Sequence, residues 1–591
     1  MRYLLIIFLF VSANLFSQTD LVAKEYFKNG EYEKALLEYK KLYSKSPLNI
    51  NFINQIVAVH QELEQYSEAE KFLLDVMERL EYPAFLVELG YNYQLQDKIE
   101  KGQELYKKAL ATIDDRASNV FSVARSFRNH SLLKEAATAY EKAMVLNPDF
   151  NFNIQLAQIY GEQGILEKMF NSYLDFAKSN PIVLSDVKRA INDFITEDGQ
   201  NDNNMLFRKM LLKKMQQQPD VLWNELLSWL FIQQKEFNKA FVQEKGIYNR
   251  KLAGLDRIEE LAAICVDENE TEVAKAIYNY IVETAQNPDT KLKAHYSLLQ
   301  IQVNESTKAE YQDIKQKYLD LLERFGDDAE ILNLQISYAH FLAFYMNETD
   351  EATQFLERVL KQPLNQLENA QVKLELGDIL VLQEQFNKAL IYYTQIQRNL
   401  KNSTISQQAR FKVAKASYYK GDFKWAEAQL KILKSSTSQL IANDALDLKL
   451  LITDNKYEDS LQTALKQYAK ADLLAFQNRN DDAIALLNKI LDAHKTEPII
   501  AQILYKQAQL FELKREYEKA KANYEVLIEN YRDGILVDDA LFNLAQLFEK
   551  QLNLPEKAKT LYENIVFNHA DSIYFVDARK RFRALRGDFI N

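Results

Sequence analysis

The sequence predicts an all-α protein built from one repeated pair of short helices. Small and aromatic residues recur with a period of about 34 residues along most of the chain. Only 13 Gly and 9 Pro interrupt the 591 residues, which is few for a protein made of strands and tight turns. Tyr and Phe, 33 of each, supply the large side chains that a long helical core needs. Together these features indicate an array of stacked helix pairs.

The first copy of the repeat shows what each position does. Ala23 and Ala35 are small enough to let two helices cross closely, and Tyr39 fills the space between them. Gly30 allows the turn between the helices, and Pro47 follows the end of the second helix. The spacing recurs in four further copies, marked by Ala69, Gly90, Gly102, Ala124, Ala136, Ala157 and Met169.

Breaks in this register divide the chain into predicted segments. The clearest break is at 198–204, an Asp- and Asn-rich stretch without helical periodicity. The segments are a signal peptide at 1–17, an N-terminal array at 18–181, a degenerate repeat or hinge at 182–218, a central array at 219–434, an irregular repeat at 435–463, a C-terminal array at 464–570, and a capping helix and tail at 571–591.

These positions resemble the tetratricopeptide repeat family over nearly the whole chain after residue 18. The resemblance implies a right-handed superhelical solenoid of antiparallel helix pairs, in one or two segments, whose first helices line a concave groove for proteins or peptides. The segments Asp538–Leu547 and Asp577–Phe582 are more particular. They are similar to the terminal repeats of bacterial envelope proteins, including the Tol–Pal-associated periplasmic protein and the outer-membrane β-barrel assembly lipoprotein.

The first 17 residues indicate a secretory signal peptide. Arg2 provides the positive start, and the apolar run at 4–11 is too short to span a bilayer. Ser17 is a small residue at the expected cut before Gln18, and an uncleaved anchor is the alternative. No later stretch has the roughly 18 continuous apolar residues of a membrane span. We therefore expect a periplasmic protein, a location compatible with peripheral association with outer-membrane complexes.

Charge and cysteine content exclude several classes of function. The formal net charge of −11 does not provide the basic field that nucleic-acid binding requires. Cys265 is the only cysteine, so no intrachain disulfide can form, and a buried structural thiol is favoured over a nucleophile. His60 occupies the position of Tyr26 in the first copy, which predicts a core histidine rather than a metal ligand.

Motifs for catalysis and for metal or cofactor binding are missing from the sequence. There is no phosphate-cradling loop, no nucleophile elbow and no Cys/His metal spacing. The stretch from Asp198 resembles a calcium loop only weakly, because Asn203 replaces the required Gly and Lys209 the required Glu. Acidic pairs such as Asp538-Asp539 lie at predicted helix starts, where their negative charge stabilises the positive end of the helix dipole. We expect no enzymatic activity, cofactor or metal.

The family resemblance places certain first-helix positions on the groove, where exposed Tyr and mixed polar groups suit protein or peptide recognition. Each could equally be an ordinary surface side chain. The carboxylate clamp of chaperone-binding repeats, with Lys and Asn at fixed places, is not matched. The candidate partner-binding residues are Lys24, Phe27, Lys415, Tyr418, Tyr419, Tyr505, Gln509 and Glu512.

Two functional hypotheses follow. The first is a non-catalytic scaffold for protein–protein interaction in the bacterial periplasm, supporting envelope assembly, export or outer-membrane protein handling. The alternative is an accessory binding protein of peptidoglycan or polysaccharide machinery. The basic stretch 579–586 fits either phosphate and lipid headgroups or a solvated face at a helix C-terminus.

Overall fold

A computed structural model describes residues 20–588, apart from 252–253, 327–330, 434–437, 457–461 and 495–496. Within these residues all extended regular structure is helical and no strand occurs. The predicted all-α array of helix pairs is therefore confirmed. The predicted signal peptide, residues 1–17, lies outside the described residues.

The chain divides into two compact units after Arg250. In the first unit, consecutive helices joined by short turns pack as pairs, and each pair packs against the next. Short 3-10 turns precede α7 and α11. The helices are α1 (20–28), α2 (Tyr32–Lys45), α3 (Ile50–Glu62), α4 (Tyr66–Arg79), α5 (Ala84–Gln94), α6 (Ile99–Asp115), α7 (Val120–Asn129), α8 (Leu133–Leu146), α9 (Asn153–Glu162), α10 (Leu166–Ser179), α11 (Leu184–Asn192), α12 (Asp202–Gln217), α13 (Val221–Gln233) and α14 (Phe237–Lys251).

The second unit repeats the same arrangement over a longer stretch, and one hydrophobic cluster runs from Leu292 to Phe582. Its helices are α15 (Asp256–Asp267), α16 (Thr271–Thr284), α17 (Pro288–Glu305), α18 (Tyr311–Phe325), α19 (Leu332–Phe344), α20 (Thr349–Val359), α21 (Gln366–Leu382), α22 (Phe386–Asn399), α23 (Thr404–Tyr419), α24 (Phe423–Leu433), α25 (Gln439–Asp454), α26 (Thr463–Phe476), α27 (Asn480–Ala493), α28 (Ile499–Leu513), α29 (Tyr517–Asn530), α30 (Val537–Lys550), α31 (Pro555–Asn568) and α32 (Phe575–Arg586).

The turn inside many of the described pairs has one recurring backbone geometry. In the first pair, the amide of Gly30 donates to the carbonyl of Phe27 and that of Glu31 to Tyr26, the double hydrogen bond that closes a helix C-terminus. Later turns keep the left-handed residue but rarely use glycine, at a cost of about 1 kcal/mol each. The left-handed residues are Gly30, Glu64, Asp97, Ser131, Gly164, Lys235, Asn269, Glu384, Gly421, Asn478 and Arg515.

Close helix crossings depend on small residues facing a tyrosine. Ala23 and Ala35 are fully buried, as the repeat pattern predicts. Gly90 of α5 lies against Tyr106 of α6, and a Cβ atom built on Gly90 would be 2.5 Å from the Tyr106 ring. This distance is far below van der Waals contact, so any side chain at Gly90 would displace the Tyr106 ring.

The stretch 198–204, where the sequence loses its helical periodicity, spans a connection and the start of the next helix. Residues 193–201 connect α11 to α12, but 202–204 form the first turn of α12. The fully buried Asn204 holds this connection, because its Nδ2 donates to the carbonyls of Thr196 and Asp198, each at 2.8 Å. Hydrogen bonds within the connection thus hold this stretch together, where the apolar periodicity of the repeat is lost. The segment boundaries drawn from the sequence stay predictions.

Substituting two glycines of the first unit tests the crossing directly. We expect Gly90→Ala to lower the free energy of unfolding by about 1–3 kcal/mol, because Tyr106 must move. Gly246→Ala is the matched control, since its Cβ would meet only Asn224 Nδ2 at 3.7 Å inside α14. We expect this change to stabilise by about 0.5–1 kcal/mol. Urea unfolding followed by circular dichroism measures both, and equal effects would contradict the crossing geometry.

Candidate binding pocket in the second unit

The pocket forms where α23, α26 and α28 pack side by side. The intervening helix α25 packs against α23 and α24, and α26 also packs against α23. Residues far apart in sequence therefore converge on one concavity of about 720 Å³. The lining residues are Lys415, Tyr419, Asp472, Ala475, Phe476, Asn478, Asn480, Lys506, Gln509, Leu510, Glu512, Leu513, Tyr524 and Asn543.

A buried carboxylate shared by two ammonium groups lies at the centre of the pocket. Asp472 of α26 is 9% exposed. Lys415 Nζ of α23 donates to its Oδ2 at 3.0 Å, and Lys506 Nζ of α28 lies 2.7 Å from its Oδ1. A buried carboxylate is costly unless it is paired, and here each oxygen has its own cation. We call these three side chains the Lys–Asp–Lys centre.

The charged groups of this centre stabilise one another in their ionised forms. Burial by itself raises the pKa of Asp472, but Lys415 and Lys506 outweigh it and hold the pKa at about 2. Burial likewise acts to lower the pKa of Lys415, yet the negative charge of Asp472 leaves that pKa raised. Asp472 and Lys415 are therefore both charged at neutral pH. Each ammonium group has three N–H donors, so donors remain for a ligand.

Aromatic rings form the wall beside Lys415. The Lys415 ammonium lies 5.3 Å from the centroid of the Tyr419 ring and 5.5 Å from that of Tyr418. The Tyr419 ring is 5.9 Å from that of Phe476, whose side chain is half-buried. Burial raises the pKa of both tyrosines, so their hydroxyls keep their protons. This wall offers apolar ring faces next to a cation.

The opposite wall is polar and partly open. Tyr524 donates its hydroxyl to Glu512 Oε1 at 2.6 Å, and burial raises the pKa of Glu512. Asn543 Nδ2 donates to the Tyr505 hydroxyl at 2.9 Å. Leu513, at the end of α28, is 73% exposed although it lines the pocket. An exposed leucine beside a polar concavity is available to an apolar group of a ligand.

The structure brings together four residues that the sequence placed in two separate patches. Lys415, Tyr419, Gln509 and Glu512 all line the pocket. The expectation that Tyr418 is exposed is wrong, because its side chain is fully buried.

Tyr505 lies half-buried behind the pocket lining, and its neighbour Lys506 faces the pocket. On α28 the pocket is therefore lined by Lys506, Gln509 and Glu512, and not by Tyr505. The charge of Lys506, next to the aromatic Tyr505, was the feature of the sequence that could have indicated that Lys506 faces the pocket. Asp472 follows Ala471, a buried small residue of the repeat. A charged residue at such a position was the feature of the sequence that could have identified Asp472.

The two N-terminal candidates belong to the first unit. Lys24 of α1 is exposed and pairs with Asp20 Oδ2 at 2.7 Å. Phe27 is half-buried, and its ring packs edge-on against Tyr32 at 5.4 Å between centroids. Their role as partner-binding residues stays a prediction.

A second concavity of about 740 Å³ lies between α16, α17 and α18. Its two lysines are held by carboxylates, Lys275 by Glu305 at 2.5 Å and Lys317 by Asp313 at 2.7 Å. None of the predicted partner-binding residues lines it. The Lys–Asp–Lys centre is therefore the better candidate for a binding site.

Cys265 and His60, two residues considered for chemistry in the sequence, are both buried. Cys265 is fully buried, and burial raises its pKa to about 11. His60 is buried and its Nδ1 lies 2.9 Å from Gln65 Oε1, as expected of a core histidine. In the described part of the chain, no group of three or more His, Cys, Asp or Glu could hold a metal ion. None of the described helices is long and apolar enough to cross a membrane.

Family comparison identifies repeats at this end of the chain. Models of the tetratricopeptide repeat match residues 468–535 and residues 539–572. The first match contains Asp472 and Lys506, and the second contains Asn543, so the pocket is formed largely by recognised repeats. No curated protein matches the sequence.

Two solved structures are similar over most of the chain. One is a structure of Naa15/Naa10 bound to HypK-THB, with 12% identity, coverage of 98% of this chain and 94% of that chain, and a TM-score of 0.29. The other is the APC/C hetero-tetramer Cut9–Hcn1, with 14% identity, coverage of 96% of both chains and a TM-score of 0.24. At these values neither likeness carries an inference about this protein.

Asp472→Asn tests the electrostatics of the pocket. We expect it to lose roughly 2–4 kcal/mol of unfolding free energy at pH 7, because two ammonium groups lose their counter-charge. The pKa of Asp472 is lowered on folding, so this contribution is complete above about pH 4 and disappears as the pH falls toward 2. The difference between wild type and variant in urea unfolding should shrink accordingly.

The control for this experiment is Asp481→Asn. Asp481 is an exposed carboxylate that pairs with Lys514 Nζ at 2.5 Å. An exposed pair contributes little, so we expect a change within about 0.5 kcal/mol. A loss for Asp472→Asn that does not depend on pH would contradict the assignment of the shared carboxylate.

Proposed function

We propose that this protein is a non-catalytic scaffold for protein–protein interaction in the bacterial cell envelope, and that a partner binds at the Lys–Asp–Lys centre. The observation that carries the proposal is the convergence of three helices on one concavity with charged, aromatic and amide groups. The tetratricopeptide repeat matches over the same residues support a role in binding proteins.

The chemistry of the pocket favours an extended peptide segment. Two cations, Lys415 and Lys506, face two carboxylates, Asp472 and Glu512, so these four groups carry no net charge. An ionic ligand would therefore leave one charge uncompensated. The uncharged N–H and C=O groups of a peptide can pair with side-chain amides such as Gln509.

An apolar side chain of the same peptide could contact apolar protein surface at two places. The Phe476 ring and the exposed Leu513 offer apolar contact at the margin of the pocket. Such a pairing of central polar contacts with apolar anchors is typical of peptide recognition.

The envelope location rests on the sequence. The signal-peptide pattern of residues 1–17 and the similarity of the terminal repeats to bacterial envelope proteins support the periplasm as the compartment. Within it, the proposed role is in envelope assembly, export or outer-membrane protein handling, with peripheral association with outer-membrane complexes.

A role in peptidoglycan or polysaccharide machinery is the second candidate. The aromatic wall of Tyr419 and Phe476, next to several amides, would also suit a sugar ring. A glycan reader is retained on isolated cell-wall sacculi, whereas a protein scaffold retains proteins and ignores sacculi.

Affinity purification from an envelope extract tests the scaffold proposal when it is done with a matched pair of variants. Leu513→Glu places a charge at the pocket without burying it, so the fold should persist and partner recovery should fall at least fivefold. Val145→Glu, at a position 82% exposed in the first unit, should retain the partners. Quantitative mass spectrometry measures the recovery. Equal recovery with both variants, or binding to sacculi alone, would contradict the proposal.

The compartment can be tested independently by the mass of the exported chain. We expect the protein isolated from the periplasmic fraction to begin at Gln18, because a signal peptidase removes residues 1–17. Intact-mass measurement and N-terminal sequencing report the cut. A full-length chain in the cytoplasm would contradict this location.

A further inference from the structure

We propose that the end of α26 is a latch, which holds the array of the second unit closed at the edge of the pocket and can open without unfolding. The latch consists of Phe476, Gln477 and Asn478 at the end of α26, with Phe344 at the end of α19 and Leu382 at the end of α21. The latch is a property of the fold and does not depend on what the pocket binds.

Two hydrogen bonds of the latch join residues that are far apart in sequence. Gln477 Nε2 donates to the carbonyl of Leu382 at 2.9 Å, across 95 residues. Asn478 Nδ2 donates to the carbonyl of Phe344 at 3.0 Å, across 134 residues. Repeats of a solenoid contact their neighbours, and α26 already packs against α23 of the preceding pair. The two bonds reach back beyond that pair, so they are additional to the stacking.

An aromatic contact accompanies these hydrogen bonds. The Phe344 ring lies edge-on to the Phe476 ring, with 5.6 Å between the centroids and 83° between the planes. Phe476 is also the ring that contacts Tyr419 on the pocket wall, at 5.9 Å. Phe476 and Asn478 both line the pocket. The residues that close the array are therefore the residues that form one edge of the pocket.

The backbone of this turn presents the Asn478 amide in a fixed direction. Asn478 has a φ of 58°, and its N–H donates to the carbonyl of Ala475 while that of Arg479 donates to Leu474. Glycine adopts this left-handed conformation more readily and occupies the same place at Gly421. Asparagine tolerates the conformation and keeps a side-chain donor, which glycine lacks. The turn therefore carries the donor that α19 accepts.

The contacts of the latch are few and accessible to water. Asn478 is exposed, and Gln477 and the two phenylalanines are half-buried. Hydrogen bonds at such places contribute little net stability, because water can replace either partner. The buried core consists of other side chains and runs through the stacked pairs. Release of the latch would therefore separate the end of α26 from α19 and α21 while the pairs stay folded.

The distance between two spin labels on the full chain tests the latch. The labels are attached to cysteines introduced at Gln354 of α20 and Ala485 of α27, both of which are exposed. The native Cys265 is fully buried and therefore stays unlabelled. Double electron–electron resonance should give one narrow distance distribution for this protein. We expect Gln477→Ala/Asn478→Gly at least to double the width of that distribution, because both donors are removed.

The matched control is Asn402→Gly, in the connection between α22 and α23. Asn402 has the same left-handed backbone and is exposed, and the structure records no side-chain hydrogen bond for it among the described residues. It should leave the distance distribution unchanged. Asn478→Gly alone changes one exposed side chain and should broaden the distribution in the same direction by a smaller amount.

Circular dichroism and thermal unfolding show whether each variant keeps its helices. An unchanged distribution in the Gln477→Ala/Asn478→Gly variant would overturn the proposal. Equal broadening with Asn402→Gly would also overturn it, because glycine at any left-handed position would then have the same effect. Loss of helix together with the broadening in both latch variants would overturn it as well, since the contacts would then belong to the folded core.

Discussion

A pair of short helices cannot bury its apolar side chains without a neighbouring pair, and this constraint determines the rest of the structure. The pairs must approach closely, so small residues such as Ala35 and Gly90 occupy the crossings and tyrosines fill the space beside them. Within the second unit the result is a continuous core from Leu292 to Phe582. Stability then depends on contacts between adjacent pairs, since a single cysteine permits no intrachain disulfide.

The pocket is a consequence of the same stacking. Because α25 packs against α23 and α24 while α26 also contacts α23, Asp472 comes within hydrogen-bonding distance of a lysine 57 residues earlier. The Asp472 carboxylate is paired with two lysines, one on each of two other helices. This group of charges fixes the spacing of three helices. It also leaves N–H groups of the two lysines that can donate hydrogen bonds to a ligand. If a partner binds as proposed, its binding and the local stability are linked at the Lys–Asp–Lys centre.

The fold could be predicted because it follows from local spacing, which a sequence displays directly. Turn glycines were a weaker guide, since Glu64 and Asp97 adopt the same left-handed backbone as Gly30. The pocket could be predicted only in part. Lys415 and Gln509 were found from their places in the first helices, but Lys506, which lies one turn before Gln509, was not. Asp472 could not be paired with Lys415 without knowing which helices are neighbours in space.

If a protein segment occupies the pocket in the cell, site-specific photocrosslinking should capture it. A photoreactive amino acid placed at Gln509 would be irradiated in living cells, with the same amino acid at Val145 as the control. We expect a discrete crosslinked species containing a second protein for position 509 and none for position 145. Adducts of equal yield at both positions, or no adduct at position 509, would contradict it.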